Sequence, residues 1–187
     1  MFSIANILSI SVTLFVVIDI LGSVPIILGI RRTNGNFNPL AIVIFSGALM
    51  TLFSFFGQQL LSMLGIQMQS FSIAGAVVLL LLALEMILGT NIFKTDDDGV
   101  KSGNIVPIAF PVLAGVGTLT TILSLRIRYP VPDLLTGILI NLLIIFLVLK
   151  SMNWLEKKMG AQTLLVMKKF FGIILLAMAV QMFISNV

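Results

Sequence analysis

The chain has 187 residues, of which 59% are hydrophobic and only 10% charged, against about 25% charged in an ordinary soluble domain. With a mean hydropathy of +1.19, this excludes a soluble globular enzyme and makes lipid the relevant solvent. The absence of cysteine and histidine excludes disulfides, thiol chemistry, Cys/His metal sites and imidazole acid–base catalysis, so no cofactor or metal is expected. The net charge of +4 comes from eleven Lys and Arg scattered singly or in pairs, a pattern of membrane topology and not of nucleic-acid binding.

In chain order, the first thirty residues carry one charge, Asp19. They lack a basic leader and a small-residue cleavage site, and are expected to be a retained first helix. Residues 33–84 are uncharged, enough for two spans of about 20 residues each, with Gln67-Met68-Gln69-Ser70 as the turn. The polar stretch 90–104 divides the chain. Beyond it the spans are expected at 105–125, 134–153 and 164–184. The predicted fold is therefore an all-α membrane protein of six transmembrane helices. Residues 1–89 form a first three-helix repeat, 90–104 a cytoplasmic loop, and 105–187 a second repeat.

Alternating loops place Arg31, Arg32, Lys94, Lys101, Lys150, Lys157, Lys158, Lys168 and Lys169 on one side and only Arg126 and Arg128 on the other. This bias puts both termini outside the cytoplasm. Three helices per half force the second half to be inverted. Ala83-Leu84-Glu85-Met86 and Ala179-Val180-Gln181-Met182 close the two halves with a shared Ala-x-(Glu/Gln)-Met, each with an upstream glycine, Gly75 and Gly172. Together these features predict an inverted repeat of the kind used by secondary transporters.

Helices 1 and 4 are predicted to be discontinuous. In the first, Asp19-Ile20-Leu21-Gly22-Ser23-Val24-Pro25 combines an acid, a glycine, a hydroxyl and a proline; Pro25 lacks an amide proton and its ring opposes the carbonyl of Leu21, so the break is expected there. In the fourth, Pro107 and Pro111 precede Ala114-Gly115-Val116-Gly117-Thr118-Leu119-Thr120-Thr121. Setting Gly22 against Gly117 sets Ser23 against Thr118. Opened backbone at membrane depth must line a cavity or be buried in protein. Half-helix N-termini would offer N–H groups to a carboxylate, while Asp19 and opposing carbonyls would suit an ammonium or a proton. The plainer alternative is that these small residues serve helix packing alone.

Of the remaining residues, Glu85 could relay protons, snorkel, or pair with Lys94 or Lys101. Asp96-Asp97-Asp98-Gly99 lacks calcium-loop spacing and reads as a solvated loop. Trp154 and Tyr129 read as interfacial anchors, and Lys168 and Lys169 as snorkelling cations.

Four segments carry a family resemblance: Val17-Ile18-Asp19-Ile20-Leu21-Gly22-Ser23-Val24-Pro25-Ile26, Phe71-Ser72-Ile73-Ala74-Gly75-Ala76 with the helix to Met86, Val106-Pro107-Ile108-Ala109-Phe110-Pro111-Val112-Leu113-Ala114-Gly115, and Ala179-Val180-Gln181-Met182-Phe183. Together they resemble the MarC family of integral membrane proteins, which includes a transporter of small neutral amino acids. The resemblance implies two inverted three-helix halves in a prokaryotic inner membrane and transport of the glycine and alanine class, with the proton as coupling ion. It implies substrate binding by Asp19, Gly22, Ser23 and Pro25 in the first helix and by Pro111, Ala114, Gly115, Gly117 and Thr118 in the fourth, with Asp19 and Glu85 as the proton-coupling candidates. Many members read Asn-Pro-x-Gly-Asn at Asp19-Ile20-Leu21-Gly22-Ser23 and Ala-Gly-Pro-Gly at Ala114-Gly115-Val116-Gly117, so this chain departs at both breaks. The expected partners are the substrate, the bilayer, the proton and a second copy in a homo-oligomer, with no nucleic acid. The competing functions are an intramembrane enzyme, for which no acid pair or nucleophile–base spacing is present, and a channel or structural membrane protein.

Overall fold

The computed structural model describes residues 3–89, 108–158 and 161–186. Helix α1, Ile4–Ile18, begins at Ser3, whose hydroxyl accepts the Asn6 N–H, and stops where Asp19 turns left-handed at φ 45°, ψ 52°. Helix α2, Ile20–Asn34, restarts on the next residue with Asp19 as its N-cap, and the two axes differ by 49°. Helix α3, Pro39–Met63, opens with the Asn38 side chain capping Leu40 and Ala41 and proline in the first turn, where its missing N–H costs nothing. Helix α4, Met68–Leu88, ends at Gly89 in the left-handed conformation, as helix C-termini commonly do. After the undescribed stretch come α5, Ile108–Leu113, a short wide-turn helix interrupted at Phe110, and α6, Val116–Arg128. The long helices α7, Val131–Lys158, and α8, Ala161–Ile184, complete the chain.

Helices α3, α4, α7 and α8 are each long and apolar enough to cross a membrane, and the bent pair α1–α2 makes a fifth candidate span. No strand occurs among the described residues, so the chain is an all-helical, multi-pass membrane protein. The predicted fourth helix is present as α5 and α6. The thirteen residues of α6, at about 1.5 Å rise each, cover about 20 Å, well short of about 30 Å of hydrocarbon. The 90–104 loop, with Lys94, Asp96 to Asp98 and Lys101, and also Pro107, lies outside the described residues. The turn expected at residues 67–70 falls slightly earlier: Gln67 is the N-cap of α4, and Met68 to Ser70 already belong to it.

Burial sorts the helices. From Gly22 to Leu28 every residue of α2 is buried, the mark of a helix enclosed by others. Ile10, Leu14 and Ile18 of α1 and Ile108, Ala109 and Leu113 of α5 join it in one core. By contrast α8 buries only 11% of its apolar window and turns Val166, Phe170 and Ile173 outward. Such apolar exposure is ordinary where the solvent is hydrocarbon. Helix α2 is thus innermost, whereas α1 still turns Ile4, Leu8, Val12 and Val16 outward.

The principal contacts pair α1 with α7 and α5 with α3, α2 with α7 and α6 with α3, α2 with α8 and α6 with α4, and α1 with α6 and α2 with α5. Helices α3 and α7 also touch, as do α4 and α8. Exchanging α1–α4 for α5–α8 maps this set onto itself, with the lesser contact of α6 with α7 left over. Polar ties fix α1 to the second half. Asp133, at 1% exposure, accepts from the Ser3 N–H at 3.4 Å and from Asn6 Nδ2 at 3.0 Å. Ser9 and Tyr129 share a hydroxyl hydrogen bond of 3.2 Å, and Asn141 Nδ2 donates to the Ser11 carbonyl at 3.1 Å.

Candidate functional site at the helix breaks

The first break is built by one residue. Asp19 ends α1 by its left-handed backbone, which Asp tolerates better than most residues, while its own N–H still bonds the Phe15 carbonyl at 3.1 Å. Its side chain then starts α2, Oδ1 accepting the Gly22 N–H at 3.1 Å. The Asp19 carbonyl takes both the Ser23 N–H and the Ser23 hydroxyl at 2.9 Å. Gly22 is required here by space: a Cβ would overlap the Asp19 carboxylate. The expected opening at Pro25 is a correction. Helix α2 runs through Pro25, and the carbonyl its ring deprives of an N–H belongs to Leu21, in the first turn, so only one bond is lost and the helix continues.

The second break has no carboxylate. The Ala114 N–H reaches back five residues to the Ala109 carbonyl at 2.8 Å, and Gly115 serves as the N-cap of α6 with no side-chain capping bond. A Cβ on Gly115 would strike the Pro111 carbonyl oxygen, so glycine is imposed by close approach of backbone to backbone. The Thr118 hydroxyl donates to the Leu113 carbonyl at 3.1 Å, the counterpart of Ser23 at the first break. Both hydroxyls are buried, at 6% and 3% exposure. Gly75 of α4 sits directly under Val116, leaving no room for a Cβ, and so fixes where α6 begins.

A cavity of about 50 Å³ opens at the first break. Asp19, Gly22 and Ser23 form its polar end, joined by Val17, Ile18 and Ile26 of the same two helices. Val112 of α5 contributes from the second half. The apolar end is made by Leu79 and Leu82 of α4 and by Leu175 and Met178 of α8, with Phe171 beside them. The lining residues fall near the midpoints of α4 and α8. This volume exceeds the roughly 10–15 Å³ that one water needs and is well below the roughly 300–1,000 Å³ of a drug-sized ligand pocket.

The structure thus brings three of the predicted site residues together, Asp19, Gly22 and Ser23. Pro25 is buried but does not line the cavity; nor do Ala114, Gly115, Gly117 or Thr118. Pro111 adjoins the lining residue Val112. Gly117 lies beside the cavity, since a Cβ there would stand 4.0 Å from Val17 and 3.9 Å from Met182. Glu85 is half-buried one turn before Gly89, which donates its N–H to the Glu85 carbonyl; it is not among the lining residues. The free N–H groups expected at the start of α2 are also corrected, because the Asp19 carboxylate already takes that of Gly22.

Sequence reasoning missed the cavity wall on α8. Its one available signal was the Phe171-Gly172 pair, where Gly172 packs against Met86 and Ile87 of α4. Asp133, just before the span expected at 134–153, lies in the first turn of α7, where an acid is favourable. Tyr129 is an internal tie to α1, whereas Trp154 is exposed near the end of α7 with the Lys158 ammonium 4.4 Å over its ring.

A family model described as MarC family integral membrane protein matches residues 4–187. The inner membrane protein YhgN of Escherichia coli K12 is 28% identical, over 97% of this chain and 96% of its own length. A membrane protein of Buchnera aphidicola is 28% identical, again over 97% and 96%. One of Pyrococcus abyssi is 27% identical, over 94% and 91%. No solved structure matches this chain. With the match running from the first turn of α1 to the last residue, the chain belongs to the MarC family of integral membrane proteins.

Proposed function

We propose that this protein is a secondary transporter of small neutral amino acids, of the glycine and alanine class, coupled to protons and working by alternating access at the break between α1 and α2. The observation that carries the reading is the cavity itself. It is small, lies near the middle of the helices, and joins a carboxylate, a hydroxyl and opened backbone to an otherwise apolar wall. Irregular backbone at membrane depth is characteristic of transporter sites. The Asp19 carboxylate suits the substrate ammonium. The start of α6, which no side chain caps and whose Gly117 approaches the lining residue Val17, suits the substrate carboxylate. Asp19 is the first proton-coupling candidate and Glu85, one turn beyond the lining residue Leu82, the second.

An inverted repeat is part of the proposal, with residues 1–89 and 105–187 as its halves and 90–104 as the link. The reciprocal helix contacts support it. So does a coincidence of numbering: the shift that sets Gly22 against Gly117 also sets Gly47 against Leu142, and those two are in contact, as residues beside a two-fold axis must be. The same shift sets Ser46 against Asn141, both buried. Ala83 and Ala179, from the shared closing motif, are likewise both buried. The ties of Ser3 and Asn6 to Asp133 and of Ser9 to Tyr129 put the start of α1 beside the α6–α7 connection, in line with both lying on the extracytoplasmic side. The name of the Escherichia coli relative supports the inner membrane as the location.

The test is flux of labelled glycine and alanine into proteoliposomes under an imposed pH gradient. Uptake above the gradient-free level is expected, and absence of flux for a panel of neutral amino acids would overturn the substrate class.

A further inference from the structure

The cavity is lined by polar groups at the α1–α2 break and by apolar side chains of α4 and α8, two helices in direct contact. Ala83 and Ala179 are buried at 0% and 1% exposure, and a Cβ on Gly172 would meet Met86 Cβ and Ile87 Cγ1 at 3.0 Å and the Ala83 carbonyl at 3.4 Å. Small residues held this closely leave no slack for the wall to recede when a larger group presses on it, since packed interiors yield little. A zwitterion in this cavity must keep its ammonium at Asp19 and its carboxylate toward the start of α6, because burying either charge among leucines without a partner is costly. Its side chain therefore points at α4 and α8.

On the reading of this cavity as the substrate site, we propose that Leu79, Leu82, Leu175 and Met178 are the specificity-determining surface, receiving the substrate side chain and limiting it to a hydrogen or a methyl group. Leu82, 9% exposed, is the stiff member of the set. Met178, unbranched and adaptable, is the soft one. Discrimination against larger substrates comes from the close packing behind this wall, and shortening either side chain gives the substrate the space removed from the protein.

The test uses the full chain in liposomes and initial uptake of glycine, alanine, valine and leucine at one concentration. Leu82→Ala and Met178→Ala, on different helices, are each expected to raise the leucine-to-alanine ratio at least about tenfold, the lower end of what one methylene of pocket space decides. Leu175→Phe, which fills the same end, is expected to lower alanine relative to glycine. A variant that does not insert is set aside in favour of the one on the other helix. Ratios within about twofold of the parent in the enlarged variants, with alanine still taken up by the parent, would overturn the wall and leave the site reading standing. If the parent takes up none of the four, the site reading itself is overturned.

Discussion

The two interrupted helices solve one problem by different chemistry. At the first break a side chain does the work: Asp19 turns the backbone left-handed and lends its own carboxylate to the new helix. At the second break no side chain caps α6, and the turn closes because Gly115 lets the chain approach the Pro111 carbonyl. The difference separates charge from space. The first break carries a titratable group at a cavity, and the second is a neutral, tightly fitted seat beside it. On the proposed transporter reading, the first would change protonation and the second would hold position.

This contrast orders the expected effects of substitution. Gly115→Ala sets a Cβ against a backbone oxygen that cannot move aside, so it should be the most damaging, lowering stability by about 2–3 kcal/mol or preventing insertion, the upper range for overpacking. Yield and thermal unfolding of the purified protein would measure it, and near-parental values would show that the second break is not fixed by space. Gly22→Ala sets its Cβ first against the Asp19 carboxylate, which can swing away with loss of the cap, a cost of about 1 kcal/mol, together with a large drop in uptake because the cavity changes shape. Unchanged uptake in inserted protein would remove Gly22 from the site. Gly117→Ala meets nothing closer than 3.9 Å, so stability should stay within about 0.5 kcal/mol. A severe loss there would reverse the assignment of which glycine in α6 is structural.

Much of this was legible in the sequence because it depends on local properties. Uncharged runs give the spans, and the clustering of Gly, Pro and hydroxyl residues marks both breaks. The first helix breaks at Asp19 and not at the expected Pro25 for a physical reason. Proline is the stronger breaker in isolation, yet Pro25 falls early in α2, where only the Leu21 carbonyl loses its donor, while Asp19 can both end one helix and cap the next. The cavity walls on α8 and the burial of Asp133 could not be read in advance. Phe171, Leu175 and Met178 look like any lipid-facing stripe until α4 packs beside them, and Asp133 is buried only because the start of α1 docks on α7.

The central claim is that the first break is a substrate site whose carboxylate carries the coupling. Asp19→Asn tests it most directly, because Asn also tolerates the left-handed conformation and caps helices equally well, so the fold is retained and the charge alone is removed. The measurement is initial uptake of labelled alanine into proteoliposomes against external pH at fixed membrane potential, parent beside variant. The parental rate is expected to change with pH, and the variant to bind alanine still but to have lost that dependence. Superimposable profiles would contradict the claim.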